Sequence, residues 1–301
     1  MPLETLQNCP VCDKSSFNNY LNVEDYTVSH KEFTIQQCNN CYFLFTNPRP
    51  SEAEIGAYYQ SDDYISHHDE KKTNLISKAY TAVRNRTIKQ KVELINSLSP
   101  VKGNMLDVGC GTGVFLNAMA KDGWRISGTE PDPGARAVAQ KRAGADIYET
   151  INAGELTYQT FDIITLWHVL EHVHLLNETI EWLYKHLSPN GKILIAVPNP
   201  QSFDAVKYGR FWAAYDVPRH LYHFTKGTMR TLLQKHNLEV KSILPMWFDS
   251  FYVGMLSTKY SGGSIDYIDS VKTGLLSNLK GRSKDKEHLN TSSLIYIVSK
   301  K

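Results

Sequence analysis

From Gly103 to the end of the chain, short apolar runs alternate with segments whose apolar residues recur every three or four positions. The short runs indicate buried strands, and the longer spacing indicates amphipathic helices. Their alternation predicts an α/β protein with a doubly wound, mainly parallel sheet of seven strands and helices on both faces. The predicted strands are 104–108, 125–129, 145–148, 161–166, 192–197, 238–245 and 293–299, and the predicted helices lie near 113–122, 133–142, 177–187 and 226–236.

A helical connector precedes this α/β pattern. Ser51 and Glu54 have the spacing of a capping box, which predicts a short helix after Pro50. The polar stretch 62–68 predicts a loop, and apolar residues at helical spacing predict a long helix over 71–98. We expect its polar side to face solvent, with one arginine able to reach a bound cofactor; the basic residues there are Arg84, Arg86, Lys89 and Lys91.

Two Cys-x-x-Cys pairs lie near the N-terminus, at Cys9 and Cys12 and at Cys38 and Cys41. Paired units of this kind predict one structural zinc ion bound by four thiolates, which leaves no open position for a substrate. The alternative is a redox dithiol, which would need only one pair. The chain therefore divides into a zinc ribbon over 1–46, a helical connector over 47–100 and an α/β domain over 101–301, with insertions near 198–224 and 246–290.

Composition limits the kinds of molecule that this protein is expected to bind. The apolar fraction of 42% is ample for a core, and the net charge of +2 does not favour nucleic acid or an acidic membrane. The N-terminus lacks the basic and apolar regions of a signal peptide, and no apolar run approaches the ~20 residues needed to cross a bilayer. We therefore expect a cytoplasmic protein with reduced thiols and no membrane partner. The oligomeric state stays open.

A glycine turn between the first strand and the first helix of the α/β domain is the strongest ligand signal. Gly109, Gly111 and Gly113 follow a Gly-x-Gly-x-Gly pattern, whereas the dinucleotide fingerprint requires a further glycine where Val114 stands. Glu130 ends the next strand, about 20 residues on, where an acid can accept hydrogen bonds from a ribose. These features predict a nucleoside ligand without naming it. A glycine loop that merely turns the chain is the alternative.

Two motifs resemble known families. Leu-Asp-Val-Gly-Cys-Gly-Thr-Gly followed by Glu-Pro resembles class I methyltransferases that use S-adenosylmethionine, and Phe-Asp-x7-Leu-Glu-His-Val resembles ubiquinone-biosynthesis O-methyltransferases. The zinc ribbon before such a domain also resembles sugar-nucleotide C-methyltransferases. The resemblance implies a Rossmann-like fold and S-adenosylmethionine as cofactor. The implied cofactor-binding residues are Asp107, Gly109, Cys110, Gly111, Gly113, Glu130, Pro131, Leu166 and Trp167.

Histidines near the expected acceptor are the candidate general bases, because imidazole accepts protons near neutral pH. By the resemblance, His168 lies nearer the transferred methyl group; His172 follows it, with a structural role as the alternative. His220 and His223 belong to an aromatic stretch, 211–224, that we expect to cover the acceptor. The alternative for this stretch is an ordinary aromatic core segment with hydrogen-bonded histidines. The predicted catalytic residues are His168, His220 and His223.

The leading hypothesis is a methyltransferase acting on an oxygen or carbon of a small molecule, such as a sugar or another biosynthetic intermediate. An RNA methyltransferase is the first alternative, because some ribosomal RNA enzymes also carry an N-terminal zinc module. Against it, the net charge is near zero and no Asn-Pro-Pro-Tyr motif follows the fourth strand. The second alternative is a non-catalytic, methyltransferase-like binding protein.

Overall fold

The computed structural model describes residues 3–60, 75–283 and 288–301. The loop predicted over 62–68 therefore lies outside the described residues, as do the first residues of the long helix predicted over 71–98. Across the described residues, none of the helices combines the length and the apolar character that a membrane span requires.

The N-terminal segment folds as a small antiparallel sheet beside a two-stranded one. Its strands are β1 (Leu3–Glu4), β2 (Phe17–Glu24), β3 (Glu32–Cys38), β4 (Leu44–Thr46) and β5 (Arg49–Pro50). β3 pairs with both β2 and β4, and β1 pairs with β5. β3 and β4 overlap residues 34–37 and 42–46, the short segments from which we predict two strands beside the second cysteine pair. β2 was not predicted: half of its eight residues are polar, and they do not alternate regularly with the apolar ones.

The connector contains a 3₁₀ helix over Ile55–Tyr59 and the long helix α1 over Leu75–Leu98. The predicted capping box does not form. The carbonyl of Ser51 accepts the backbone N–H groups of Glu54 and Ile55, at 3.0 and 2.9 Å, so the turn closes through the main chain. These two backbone hydrogen bonds take the place of the side-chain cap that the spacing of Ser51 and Glu54 predicted.

The main sheet has seven strands with helices between them. Its part of the chain contains β6 (Asn104–Val108), α2 (Val114–Lys121), β7 (Arg125–Thr129), α3 (Pro133–Ala143), β8 (Ile147–Tyr148), β9 (Phe161–Trp167), α4 (Leu176–His186), β10 (Leu187–Pro198), α5 (Phe203–Tyr208), β11 (Tyr222–His223), α6 (Lys226–Lys235), β12 (Leu238–Met246), α7 (Asp249–Gly262), α8 (Tyr267–Lys280) and β13 (Ser293–Lys300). The strand order is β12-β13-β10-β9-β6-β7-β8, which confirms the predicted fold class. β13 runs antiparallel to both neighbours, and the remaining pairs are parallel.

The central strands are buried on both faces, which explains why their sequences are nearly continuous apolar runs. Leu106 of β6, Ile164 of β9 and Ile195 of β10 are all inaccessible to solvent. Single-turn 3₁₀ helices lie in the connections, at Leu156–Tyr158, Leu170–His172, Gly209–Phe211 and Ala213–Tyr215. The carboxyl ends of the parallel strands converge on one edge, where such sheets bind ligands.

Both predicted insertions contain regular secondary structure. Within 246–283 the chain forms a helical hairpin, α7 and α8, whose close approach depends on small residues: a Cβ at Gly274 would meet the Phe251 ring at 2.6 Å. Within 198–224, β11 pairs with β4, so a strand of the α/β domain completes the N-terminal sheet. A boundary at residue 46 therefore cuts through a shared sheet.

Candidate cofactor and acceptor site

The glycine turn between β6 and α2 is built from left-handed backbone. Gly109, Gly111 and Gly113 have φ of 68°, 55° and 73°, a region that other residues rarely adopt. The N–H of Cys110 donates to the carbonyl of Thr129 at 2.8 Å and anchors the turn to the end of β7. The turn is therefore held against the carboxyl edge of the sheet.

One glycine of the turn faces open space, and the other two are packed. A Cβ at Gly109 would meet Val169 at 2.6 Å, and one at Gly113 would meet Ala139 at 2.9 Å. A Cβ at Gly111 would meet nothing within 4 Å. The space beside Gly111 therefore admits a ligand to the main chain.

Glu130 lies directly beside this space. Its Oε2 accepts the backbone N–H of Gly111 at 2.9 Å, and its Oε1 accepts the N–H of Asp132 at 3.0 Å. A carboxylate held against an open glycine can accept hydrogen bonds from two vicinal hydroxyls. The donor and acceptor set therefore fits a ribose-containing ligand such as S-adenosylmethionine.

Asp107 and Lys91 lie at the same edge, close enough for each to influence the pKa of the other. Asp107 accepts the hydroxyl of Thr165 at 2.6 Å, and burial raises the pKa of Asp107 to about 7. Burial lowers the pKa of Lys91 to about 8, against the opposing effect of Asp107 and Asp249. The Lys91 ammonium lies 4.0 Å from the ring centroid of Trp167. It is placed to meet an anionic group of a ligand.

Lys91 therefore departs from its predicted place on the solvent side of the long helix. The sequence suggested that an arginine of α1 would reach the cofactor, whereas the described contacts put Lys91 beside Asp107 and the rings of Phe115 and Trp167. Helical periodicity shows which residues share a face, but the tilt of the helix on the sheet decides which of them reach the edge.

His168 occupies a constrained position immediately after β9. Its φ is 57°, and its backbone N–H donates to Ala196 at 2.9 Å. Its Nδ1 lies 3.3 Å from a carboxylate oxygen of Glu171, and its Nε2 lies 2.8 Å from one of Asp249. Burial disfavours the imidazolium, but Asp249 and Glu171 outweigh it and raise the pKa of His168 to about 10. In this state His168 carries a proton near neutral pH and presents a cation.

Glu171, which contacts His168, forms a cluster with His172 and His220, in which His172 is the partly exposed member. One potential ligand atom from each lies within 4.8 Å of the others, so the three could hold a metal ion. The Nδ1 of His220 lies 2.9 Å from the carbonyl of Ala214, and that of His172 lies 3.0 Å from the hydroxyl of Tyr59. Burial, followed by the neighbouring His220, lowers the pKa of His172 to about 4, which keeps its imidazole neutral.

The aromatic stretch 211–224 packs between the ribbon and the main sheet. Arg219 is 1% exposed and lies 2.7 Å from Asp216 and 3.0 Å from Asp25 of the ribbon. His223 is also buried, and burial lowers its pKa to about 3. Such contacts are typical of a core segment, and the action of His220 and His223 on the acceptor stays a prediction.

The four N-terminal cysteines come together as their spacing predicts. The sulfur atoms of Cys9 and Cys41 are 3.5 Å apart, as are those of Cys12 and Cys38. All four lie within 4.8 Å of one another. Tetrahedral zinc with Zn–S bonds of about 2.3 Å separates its sulfurs by about 3.8 Å, so the cluster is compatible with that ion.

Sequence reasoning missed Lys91 and Asp249. Asp249 opens α7, a helix with no strong apolar periodicity, far along the chain from His168. The sequence showed only that Lys91 is one of several basic residues on one side of the long helix. Neither residue belongs to a motif, so only the fold brings them to the cofactor edge.

Comparisons with known proteins agree with the fold. Residues 80–243, more than half of the chain, match a family model described as a methyltransferase domain. The magnesium protoporphyrin IX methyltransferase of Synechocystis PCC 6803, solved with bound SAH, superposes with a TM-score of 0.51 at 13% identity, over 81% of this chain and 96% of that one. At this identity the superposition shows a shared fold.

Curated relatives match over part of the chain. The ubiquinone biosynthesis O-methyltransferase of Pseudomonas entomophila is 29% identical over 158 residues, which are 48% of this chain and 68% of that protein. The mitochondrial ubiquinone biosynthesis O-methyltransferase of Schizosaccharomyces pombe is 31% identical over 101 residues, 31% of this chain and 36% of that protein. Together with the family match and the seven-stranded sheet, these similarities show that the chain belongs to the methyltransferase-domain family, as a class I S-adenosylmethionine-dependent methyltransferase.

Proposed function

We propose that the enzyme transfers a methyl group from S-adenosylmethionine to an oxygen or carbon atom of a small molecule. The observation that carries the proposal is the adjacency, at one sheet edge, of the open glycine turn and the partly exposed His168. The names of the curated relatives, which are O-methyltransferases of ubiquinone biosynthesis, support a small-molecule acceptor. The net charge of +2 gives little support to the RNA alternative.

We assign cofactor binding to the residues that line the turn and the neighbouring strand ends. S-adenosylmethionine supplies an activated methyl group, so the protein mainly has to hold and align its partners. In this proposal Glu130 binds the ribose hydroxyls, and Lys91 binds the carboxylate of the methionine moiety. The other cofactor-binding residues are Asp107, Gly109, Cys110, Gly111, Gly113, Pro131, Leu166 and Trp167.

His168 is the residue that we assign to the acceptor. Its side chain is 32% exposed and is paired with Asp249 on one side and Glu171 on the other. Because the imidazolium has no lone pair, it cannot accept a proton until it loses its own; it can stabilise an ionised acceptor oxygen instead. Our predictions that His220 and His223 act on the acceptor remain untested, and their burial in the aromatic stretch favours a supporting role.

In the same proposal the ribbon over 1–46 is a zinc-stabilised platform. The four clustered cysteines supply all its ligands, so the ion has no open position for chemistry. We expect a reducing, cytoplasmic setting for this protein, because thiols that bind zinc have to stay reduced. Residues 47–100 join the ribbon to the catalytic domain over 101–301, and the insertions near 198–224 and 246–290 frame the acceptor side.

The test replaces Gly111 with valine and measures S-adenosylhomocysteine binding by calorimetry. A valine would occupy the open space beside Glu130, so we expect wild-type protein to bind and Gly111→Val to lose binding. Gly144→Val is the matched control: Gly144 has φ of 63°, and a Cβ there would also meet nothing within 4 Å, but it lies at the end of α3. The Gly144→Val variant should have the same unfavourable backbone conformation as Gly111→Val but should bind S-adenosylhomocysteine with wild-type affinity.

Two outcomes would overturn the assignment. One is wild-type protein that binds NAD tightly but does not bind S-adenosylhomocysteine. The other is Gly111→Val protein with wild-type affinity. Circular dichroism of both variants shows whether a variant that does not bind is still folded.

A further inference from the structure

Helix α8 has an inverted pattern of burial. The residues that it turns toward the protein are small or polar; these are Ser270, Thr273, Gly274 and Ser277. Most of the residues that it turns outward are large and apolar, with exposed fractions between 51% and 84%; these are Tyr267, Ile268, Val271, Leu275 and Leu279. Lys272 is the exposed charged residue among them. A surface helix normally has the opposite arrangement, so this apolar face is built to be covered.

Contacts with α7 show which side of α8 faces the protein. A Cβ at Gly274 would overlap the Phe251 ring, and one at Gly254 would lie 3.3 Å from the carbonyl of Ser270. Thr258 and Ser270 are within hydrogen-bond distance of each other, at 3.3 Å. The hairpin is therefore closely packed on that side, and α8 cannot turn its apolar residues inward without breaking it.

The outward stripe is nearly the same when it is followed from either end of the helix. Ile268, Val271, Leu275 and Leu279 are spaced three, four and four positions apart. An antiparallel copy of the helix would place Ile268 beside Leu279 and Val271 beside Leu275, and each pair would recur by symmetry. Two-fold symmetric interfaces need this self-complementary arrangement.

Charge also favours an antiparallel second copy. Asp266 lies at the start of α8, whereas Lys280 and Arg282 lie at its end. Asp269, also near the start, already pairs with Lys207 of α5 at 2.6 Å and is not counted here. Antiparallel packing brings the acidic end of each helix to the basic end of the other. An anionic membrane surface would attract only the basic end, so it matches this distribution less well.

We propose that the enzyme forms a homodimer in which α8 packs antiparallel against α8 of a second copy. The 14 residues of the helix span about 21 Å, enough for all of its outward apolar side chains to contact the partner. The proposal concerns a surface apart from the glycine turn and does not depend on the identity of the acceptor.

Sedimentation velocity of the full chain tests this. We expect a particle of about 68 kDa, twice the 34.2 kDa of one chain, and a 34.2 kDa particle for Leu275→Glu at the same micromolar concentration. Lys280→Glu should shift the equilibrium toward monomer, because it places like charges opposite each other. Val138→Glu is the matched control, since Val138 is 44% exposed on α3, a helix that packs beside β8, and it should remain dimeric.

A monomeric wild-type protein, or a Leu275→Glu protein that stays dimeric, would overturn the proposal. Flotation with vesicles of phosphatidylcholine and phosphatidylglycerol tests whether a membrane, rather than a second copy, covers this face. If the wild-type protein is monomeric and floats with the vesicles, and Leu275→Glu does not float, the face binds a membrane. Circular dichroism and S-adenosylhomocysteine binding should be unchanged in Leu275→Glu, so unfolding cannot mimic the expected result.

Discussion

At the scale of single residues, the site depends on ion pairs between residues that no sequence pattern links. His168 lies between Glu171, three positions away, and Asp249, which comes from a different helix. The first contact follows from local geometry, but the second depends on where α7 docks. The sequence identified His168 as a base, whereas the two carboxylates favour its protonated form.

The pairing of His168 with Asp249 predicts a pH dependence of stability. The pKa of His168 is raised from 6.5 to about 10 in the folded protein. A raised pKa stabilises the folded state fully below about pH 6.5, and this contribution is lost as the pH rises toward 10. We therefore expect the stability advantage of wild type over Asp249→Asn to shrink between pH 6.5 and 10 in urea denaturation.

Asp146→Asn provides the control, because Asp146 is exposed and lies in the turn before β8. Its difference from wild type should not change over the same pH range. A constant difference between wild type and Asp249→Asn from pH 6.5 to 10 would contradict the ion pair.

At the scale of elements, the cysteine cluster and β11 act together. The ribbon sheet consists of β2, β3, β4 and β11, and the last of these belongs to the chain segment that follows the main fold's fifth parallel strand. A zinc ion bound by the four cysteines would therefore also order a strand of the α/β domain. A metal that joins distant cysteines contributes directly to folding free energy.

Elemental analysis should find about one zinc ion per chain, and Cys38→Ser should lose it because one of four thiolates is gone. Thermal unfolding of Cys38→Ser should begin at lower temperature than that of wild type. Cys110→Ser is the control: Cys110 lies in the glycine turn, outside the cluster, and its variant should retain the zinc. Metal-free wild-type protein with unchanged unfolding would contradict a structural ion.

At the scale of the whole molecule, Arg219 joins the ribbon to the α/β domain. Its guanidinium contacts Asp216 within its own segment, Asp25 in the ribbon and the carbonyl of Tyr58 in the connector. Asp25 in turn caps the ribbon turn, accepting the N–H of Ser29 at 2.7 Å. One buried cation therefore neutralises two acids that come from different parts of the chain.

Replacing Arg219 with methionine should lower the free energy of unfolding by about 3–5 kcal/mol, because it leaves the buried carboxylate of Asp25 and the partly buried one of Asp216 without their cation. Chemical denaturation monitored by tryptophan fluorescence measures the loss. Arg86→Met, at an exposed position of α1, should change the free energy by at most about 0.5 kcal/mol. Equal stability of the two variants would show that the Arg219 pairs contribute little.

Short-range spacing in the sequence accounts for part of the fold and of the site. The order along the chain of the seven strands in the main sheet, the glycine turn with Glu130 and the paired cysteines follow from local patterns that leave few alternatives. Strands β2 and β11 and the α7–α8 hairpin were not predicted from such patterns. The contacts of Lys91, Asp249 and Arg219 follow only from tertiary packing. Burial and ion pairing depend on how elements pack, and residues far apart in sequence carry no local pattern that records which of them will meet.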